Sequence, residues 1–153
     1  MPGRWKISSL ISSYKKQIPA IRALRLFLGG TFLYAGIYKI LDESFLQPDE
    51  PTSLRAQVEA FSQISPVGSY LSIVIDNSVL FGILIILIEL TIGFLTLIGR
   101  AKFLAATAGI FLSLTLWLVA TWQVRPYFYA SNPAYLAMWV VYALAVVPKK
   151  YSK

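Results

Sequence analysis

One stretch of this chain, Val79–Ile98, constrains the fold more than any other, because Glu89 is its only charged residue. About 20 apolar residues is the length that crosses a bilayer core as a helix. A carboxyl group at the centre of such a helix costs roughly 2.5–3.5 kcal/mol on insertion scales, so it is expected to face other helices rather than lipid. The stretch therefore predicts a membrane-spanning helix that carries one buried polar group.

The composition supports an integral membrane protein. Of 153 residues, 57% are hydrophobic and 14% are charged, whereas soluble domains carry about 25% charged residues. The chain has no cysteine and no histidine, which excludes iron–sulfur clusters, zinc sites built from Cys and His, and His-ligated haem. We predict no metal site, so any redox chemistry needs a bound organic carrier such as a quinone, or a partner subunit.

The apolar pattern predicts an all-α protein with a four-helix membrane bundle. The predicted spans are Ile21–Leu41, Val79–Ile98, Phe103–Trp122 and Ala134–Val147. Residues 1–20 form an interfacial segment on the cytoplasmic side, with an amphipathic helix over Trp5–Ile18. Residues 21–148 then form the membrane domain, and residues 149–153 form a basic cytoplasmic tail.

An outer segment, Asp42–Ser78, separates the first two spans. Thr52 or Ser53 is expected to cap a short helix there. That helix would have an apolar face formed by Leu54, Val58 and Phe61.

The charges predict which side of the membrane each segment occupies. Most basic residues lie before the first span, between the second and third spans, and after the fourth: Arg4, Lys6, Lys15, Lys16, Arg22, Arg25, Arg100, Lys102, Lys149, Lys150 and Lys153. The positive-inside rule then places both termini in the cytoplasm. The basic residues form no nucleic-acid recognition motif, so we predict membrane lipids, and no nucleic acid, as their partners.

Small residues form stripes that allow close helix packing, and Glu89 lies near the stripe of the second span. If the first two helices cross the membrane at matched depth, Glu89 is level with Thr31–Phe32 and Lys39 is about 10 Å farther out. Glu89 and Lys39 could handle protons or bind a polar headgroup such as a quinone carbonyl. Alternatively, Glu89 is a protonated or salt-bridged link between helices, and Lys39 pairs with Asp42.

Several other side chains could contact a flat ligand. Tyr38 is an alternative hydrogen-bond donor near Glu89, and Trp117 and Trp139 belong to an aromatic-rich outer region that could hold a ring. The alternative for the aromatic residues is an ordinary interfacial belt. The simplest interpretation of Arg25 is an anchor whose side chain snorkels to the inner leaflet. The simplest interpretation of Asn132 is a helix cap before Pro133.

Several segments resemble the DoxX-like membrane protein family, closest to the DoxD-type small subunits of thiosulfate:quinone oxidoreductase. They are LRLFLGGTFLYAGIYKILD, FLQPDEPT, FSQISP, IELTIGFLTLIGR and WQVRPYFYASN, within about Ile21–Val147. The resemblance implies a four-helix bundle in a prokaryotic cytoplasmic (inner) membrane, associated with quinone-linked redox chemistry and with separate redox partner proteins. The matching positions are Arg25, Gly29, Gly36, Lys39, Glu89, Gly93 and Arg100, whereas Asn132 stands where related sequences often have an acid.

Together these patterns predict a membrane subunit of a quinone-linked oxidoreductase complex, which takes part in electron transfer by binding quinone or docking a redox partner. Glu89 and Lys39 are the predicted catalytic residues. The predicted cofactor-binding residues are Arg25, Tyr38, Trp117 and Trp139. The alternative is a non-catalytic membrane anchor or assembly subunit of a larger complex, and a small transporter is a third reading.

Overall fold

The computed structural model describes residues 17–147, and all of the regular structure in this range is helical. The predicted helix Trp5–Ile18 and the basic tail 149–153 fall almost entirely outside these residues. The α-helices are α1 (Pro19–Leu41), α2 (Leu54–Ser62), α3 (Ser72–Asp76), α4 (Ser78–Ile98), α5 (Lys102–Leu116) and α6 (Ser131–Val146). The prediction of an all-α chain is thereby confirmed for the described residues.

Three helical segments are long and apolar enough to cross a membrane: Pro19–Leu41, Ser78–Ile98 and Lys102–Thr121. The third is α5 together with a π-helical turn, Trp117–Thr121, that continues it. Helix α6 has 16 residues, which gives a length of about 24 Å at 1.5 Å per residue. This is shorter than the ~30 Å bilayer core, so a fourth crossing remains a prediction.

Helices α1 and α4 pack antiparallel along a seam of glycines, and this seam sets their register. A Cβ atom added at Gly36 would lie 3.2 Å from the backbone nitrogen of Leu90. Gly36 is therefore level with Leu90, and Glu89, one residue earlier on the antiparallel helix, is level with Ile37. The glycines of this seam are Gly29, Gly36 and Gly93.

This register corrects the depth expected from matched helices. Glu89 is level with Ile37 rather than with Thr31–Phe32, a shift of roughly 8 Å along the axis of α1. Lys39 is then only two residues, or about 3 Å, from the level of Glu89. The shift occurs because close glycine contacts, rather than equal immersion of the two helices, decide how they slide past each other.

The second close helix pair is α5 with α6. The indole of Trp139, which is fully buried, lies directly on Gly109, where an added Cβ would come within 2.4 Å of the ring. The same ring meets Phe32 of α1 edge to face, with centroids 5.1 Å apart. Trp139 thus belongs to the apolar core that joins α1, α5 and α6.

The outer segment folds onto the N-terminal end of α4. Ser53 is the N-cap of α2 and accepts a hydrogen bond from Ala56 N at 3.2 Å, as predicted. Leu54 and Val58 are buried in a second apolar cluster that includes residues of α4. The segment can approach closely because Gly82 of α4 has no side chain.

The prediction that Asn132 caps the fourth helix was wrong. Helix α6 begins at Ser131, its N-cap position is Ala130, and no side chain caps it. Asn132 instead donates from Nδ2 to Thr121 Oγ1 at 3.2 Å, which ties the start of α6 to the π-helical turn.

Candidate functional site

Glu89 and Lys39 form an ion pair between α4 and α1. Lys39 Nζ lies 2.9 Å from both carboxylate oxygens of Glu89. The Glu89 side chain is 5% exposed and the Lys39 side chain is 25% exposed. The alternative pairing with Asp42 is not the one found, because Asp42 Oδ1 accepts hydrogen bonds from the backbone and hydroxyl of Ser44.

The ion pair lies in the wall of a cavity of about 410 Å³ between α4 and α5. Ligand sites of small molecules typically measure roughly 300–1,000 Å³ and are mainly apolar, with a few polar groups. Apart from the ion pair, polar side chains in the wall are Gln57 and Thr115. The apolar lining residues are Phe45, Leu54, Val58, Phe61, Leu71, Val74, Phe81, Ile85, Leu112, Leu116, Val119 and Ala120.

The register of α1 and α4 explains why a cavity forms at this point. Helix α1 ends at Leu41, which by the same register lies level with Ile85, so the first two turns of α4 extend beyond it. The outer segment covers this exposed part of α4 in place of a membrane helix. Phe45, Leu54 and Phe61 come from that segment and close the outer side of the cavity.

The π-helical turn forms part of the wall opposite α4. Val119 and Ala120 line the cavity from this turn. Ser65 of the outer segment donates from Oγ to the carbonyl of Leu118 at 2.8 Å, which satisfies a backbone oxygen in the turn. Single π-helical turns inside α-helices occur frequently at functional sites.

Arg25 was expected to snorkel, and the structure shows otherwise. Its side chain is fully buried. Nε donates to the carbonyl of Thr96 at 2.8 Å, and Nη2 donates to that of Leu97 at 3.0 Å. These carbonyls belong to the last turn of α4, where the carbonyl oxygens have no N–H partner within the helix and the helix dipole is negative. Arg25 therefore caps α4, and it is about 21 Å from Lys39 along α1.

The three aromatic residues predicted to bind a cofactor do not line this cavity. Tyr38 is 58% exposed on the outside of α1, and its ring is tilted by 30° from that of Tyr34, with centroids 6.0 Å apart. Trp139 is buried in the core of α5 and α6. Trp117 begins the π-helical turn, with its ring 5.9 Å from that of Trp122. Of the six predicted site residues, the structure brings together Lys39 and Glu89.

The aromatic side chains that do line the cavity are Phe45, Phe61 and Phe81. The helical periodicity predicts Phe61 on the apolar face of α2, but it does not predict that this face lines a cavity. The many apolar residues of the outer segment were the available indication that it packs against the helices, because a loop surrounded by water is normally polar.

The arrangement can place a proton donor or acceptor beside an apolar chamber. The Lys39 ammonium has three N–H donors, and the Glu89 carboxylate has further acceptor positions besides those used in the pair. Within residues 17–147 there is no group of three or more His, Cys, Asp or Glu residues that could hold a metal ion. The site therefore combines one charged pair with a mainly apolar wall.

Comparisons with known proteins identify the family. The family model described as "TQO small subunit DoxD" matches residues 21–125, where TQO denotes thiosulfate:quinone oxidoreductase. This match includes α1 from Ile21 onward, the outer segment, α4, α5 and every residue of the cavity wall. Neither the curated proteins nor the solved structures gave a match. The chain belongs to the DoxD family, whose description implies a membrane subunit of thiosulfate:quinone oxidoreductase.

Proposed function

We propose that this chain is a quinone-binding membrane subunit of an oxidoreductase complex, and that the quinone ring occupies the cavity beside Lys39 and Glu89. The observation that carries the proposal is the ion pair in the wall of an otherwise apolar chamber of about 410 Å³. The family assignment supports the same chemistry.

The residues of the cavity suit a quinone headgroup. The phenylalanine rings of the wall offer apolar surfaces against which a flat ring can pack. Lys39 Nζ provides a charged N–H donor for a carbonyl oxygen, and such hydrogen bonds are roughly twice as strong as neutral ones. The 25% exposure of the Lys39 side chain leaves part of it accessible to a ligand.

Glu89 and Lys39 have distinct proposed roles. A quinone supplies a carrier for two electrons, and its reduction also requires two protons. The pair carries an exchangeable proton on Lys39 Nζ, which lies 2.9 Å from both carboxylate oxygens of Glu89, and the carboxylate can accept that proton. Lys39 orients the carboxylate and positions a carbonyl oxygen by donating a hydrogen bond. The apolar wall excludes bulk water, so protons reach the ring through these two side chains.

The electrons are proposed to come from a partner protein docked on the outer segment. Glu43, Asp49 and Glu50 are exposed there, and all lie in the segment that covers the cavity. A basic surface on the partner would be complementary to them. Thiosulfate is proposed as the electron source on the basis of the family description.

Glu89→Gln tests the proposal, with quinone measured by extraction and mass spectrometry of the detergent-purified protein. Wild type is expected to retain quinone in stoichiometric amount. Hydrogen bonds to charged groups are worth roughly 1.5–3 kcal/mol, so the variant should retain at most about one tenth as much quinone as wild type. The change replaces an oxygen with an NH₂ group of similar size, and the thermal transition reports whether the protein is still folded.

Glu59→Gln is the matched control, because Glu59 is an exposed acid on α2 that is hydrogen-bonded to Arg55. It is expected to retain quinone as wild type does. Retention of quinone by folded Glu89→Gln would exclude Glu89 from the site.

The alternative function, a non-catalytic anchor or assembly subunit, is favoured by one feature of the same pair. Both oxygens of Glu89 bond to Lys39, so the pair also acts as a direct tie between α1 and α4. Absence of quinone from wild type, together with co-purification of a larger complex, would support the anchor.

A further inference from the structure

Three basic side chains gather at the end of the bundle where α4 ends and α5 begins. Arg22 and Arg25 are three residues apart on α1, so they share a helix face. Lys102 is the first residue of α5, and its ammonium group is close enough to Arg25 for the two positive charges to repel each other. We call Arg22, Arg25 and Lys102 the basic cluster.

No acidic side chain of this chain is available to neutralise the cluster. All seven acidic residues lie between Asp42 and Glu89 in the sequence. Glu89 is bonded to Lys39, and the other six belong to the outer segment, at the opposite end of the bundle. The negative end of the α4 dipole, worth about half an elementary charge, offsets only part of three positive charges.

Burial makes an excess of positive charge costly. Arg25 is fully buried, and its donors reach Gln17 Oε1, at 3.3 Å, as well as the carbonyls that end α4. The Nε atom of Arg22 is also buried, and it has no hydrogen-bond partner within residues 17–147. A buried donor without an acceptor costs roughly 1–3 kcal/mol, more when it is charged.

We propose that the basic cluster binds the phosphate group of an anionic phospholipid in the adjacent membrane leaflet. A phosphate supplies negative charge for the partly exposed side chains of Arg22 and Lys102, and guanidinium groups match its geometry. The cluster lies at the end of two membrane-spanning helices, where phospholipid headgroups are located. Basic pockets between helix ends are a known way to hold such headgroups.

The test is native mass spectrometry of the full-length protein in detergent, titrated with phosphatidylglycerol or with phosphatidylcholine. Wild type is expected to retain one phosphatidylglycerol in preference to phosphatidylcholine. Each of Arg22→Gln and Lys102→Gln should weaken phosphatidylglycerol binding about fivefold, the effect of one basic residue near a membrane surface. Arg25 is not varied, because its loss would also uncap α4.

Arg55→Gln is the matched control, since it removes the same charge from an exposed residue of the outer segment, at the opposite end of the bundle. It should leave the affinity for phosphatidylglycerol within about twofold of wild type. The thermal transition of each variant shows whether it is folded.

Three outcomes would overturn the proposal: equal retention of both lipids by wild type, equal weakening by all three substitutions, or undiminished binding in folded Arg22→Gln and Lys102→Gln. Displacement of the lipid by inorganic phosphate at similar concentration would assign the site to free phosphate instead.

Discussion

Lys39→Met is expected to destabilise the protein by roughly 3–5 kcal/mol, the usual cost of removing one partner of a buried ion pair. The remaining Glu89 side chain is 5% exposed, so water cannot replace the lost ammonium. Glu89→Leu should cost less, because Lys39 is 25% exposed and can turn toward water. Replacing both residues should recover most of the loss, since no charge is then left unpaired.

The free energy of unfolding in SDS, followed by circular dichroism, measures all three variants. Arg55→Met provides a matched control, because Arg55 pairs with Glu59 at 2.9 Å in an exposed i,i+4 geometry. This control should change stability by about 0.5 kcal/mol or less. Strict additivity of Lys39→Met and Glu89→Leu would contradict the buried coupling.

The double variant also separates the two roles of the pair. If it folds as stably as wild type but retains no quinone, the charges serve ligand binding rather than the joining of α1 to α4. A double variant that retains quinone would show that the cavity binds the ring through its apolar wall alone.

Gly93→Ala is expected to destabilise the protein by about 2–3 kcal/mol, at the upper end of the range for overpacking. The added Cβ would lie 2.5 Å from the backbone nitrogen of Leu33 and 2.9 Å from the carbonyl oxygen of Gly29. Backbone atoms cannot rotate away as a flexible side chain can, so α1 and α4 must separate. Thermal unfolding in detergent measures the loss.

Gly30→Ala is the matched control on the same pair of helices. A Cβ at Gly30 meets nothing within 4 Å, and alanine favours a helix over glycine by up to about 1 kcal/mol. The control should therefore be neutral or slightly stabilising. Similar behaviour of the two alanine variants would show that the glycine seam does not set the helix register.

The main helices and the burial of Glu89 could be predicted from sequence, because both depend on local composition. An apolar run of bilayer length specifies α4 wherever its neighbours lie, and a carboxyl group within it must find a polar partner. The cap of α2 could be predicted for the same reason, since Ser53 acts on a backbone amide three residues away. The pattern of charges around the apolar runs was likewise local, and the orientation that it implies remains a prediction.

The partners across the bundle were decided by tertiary structure. Close contact at Gly29, Gly36 and Gly93 slides α1 along α4 by roughly 8 Å from the matched position. The same displacement brings Lys39 to Glu89 at one end and places Arg25 beneath the last carbonyls of α4 at the other. It also leaves the outer turns of α4 to be covered by α2, which creates the cavity. A sequence shows that glycines permit close approach, but the depth at which two helices meet depends on the packing of both surfaces together.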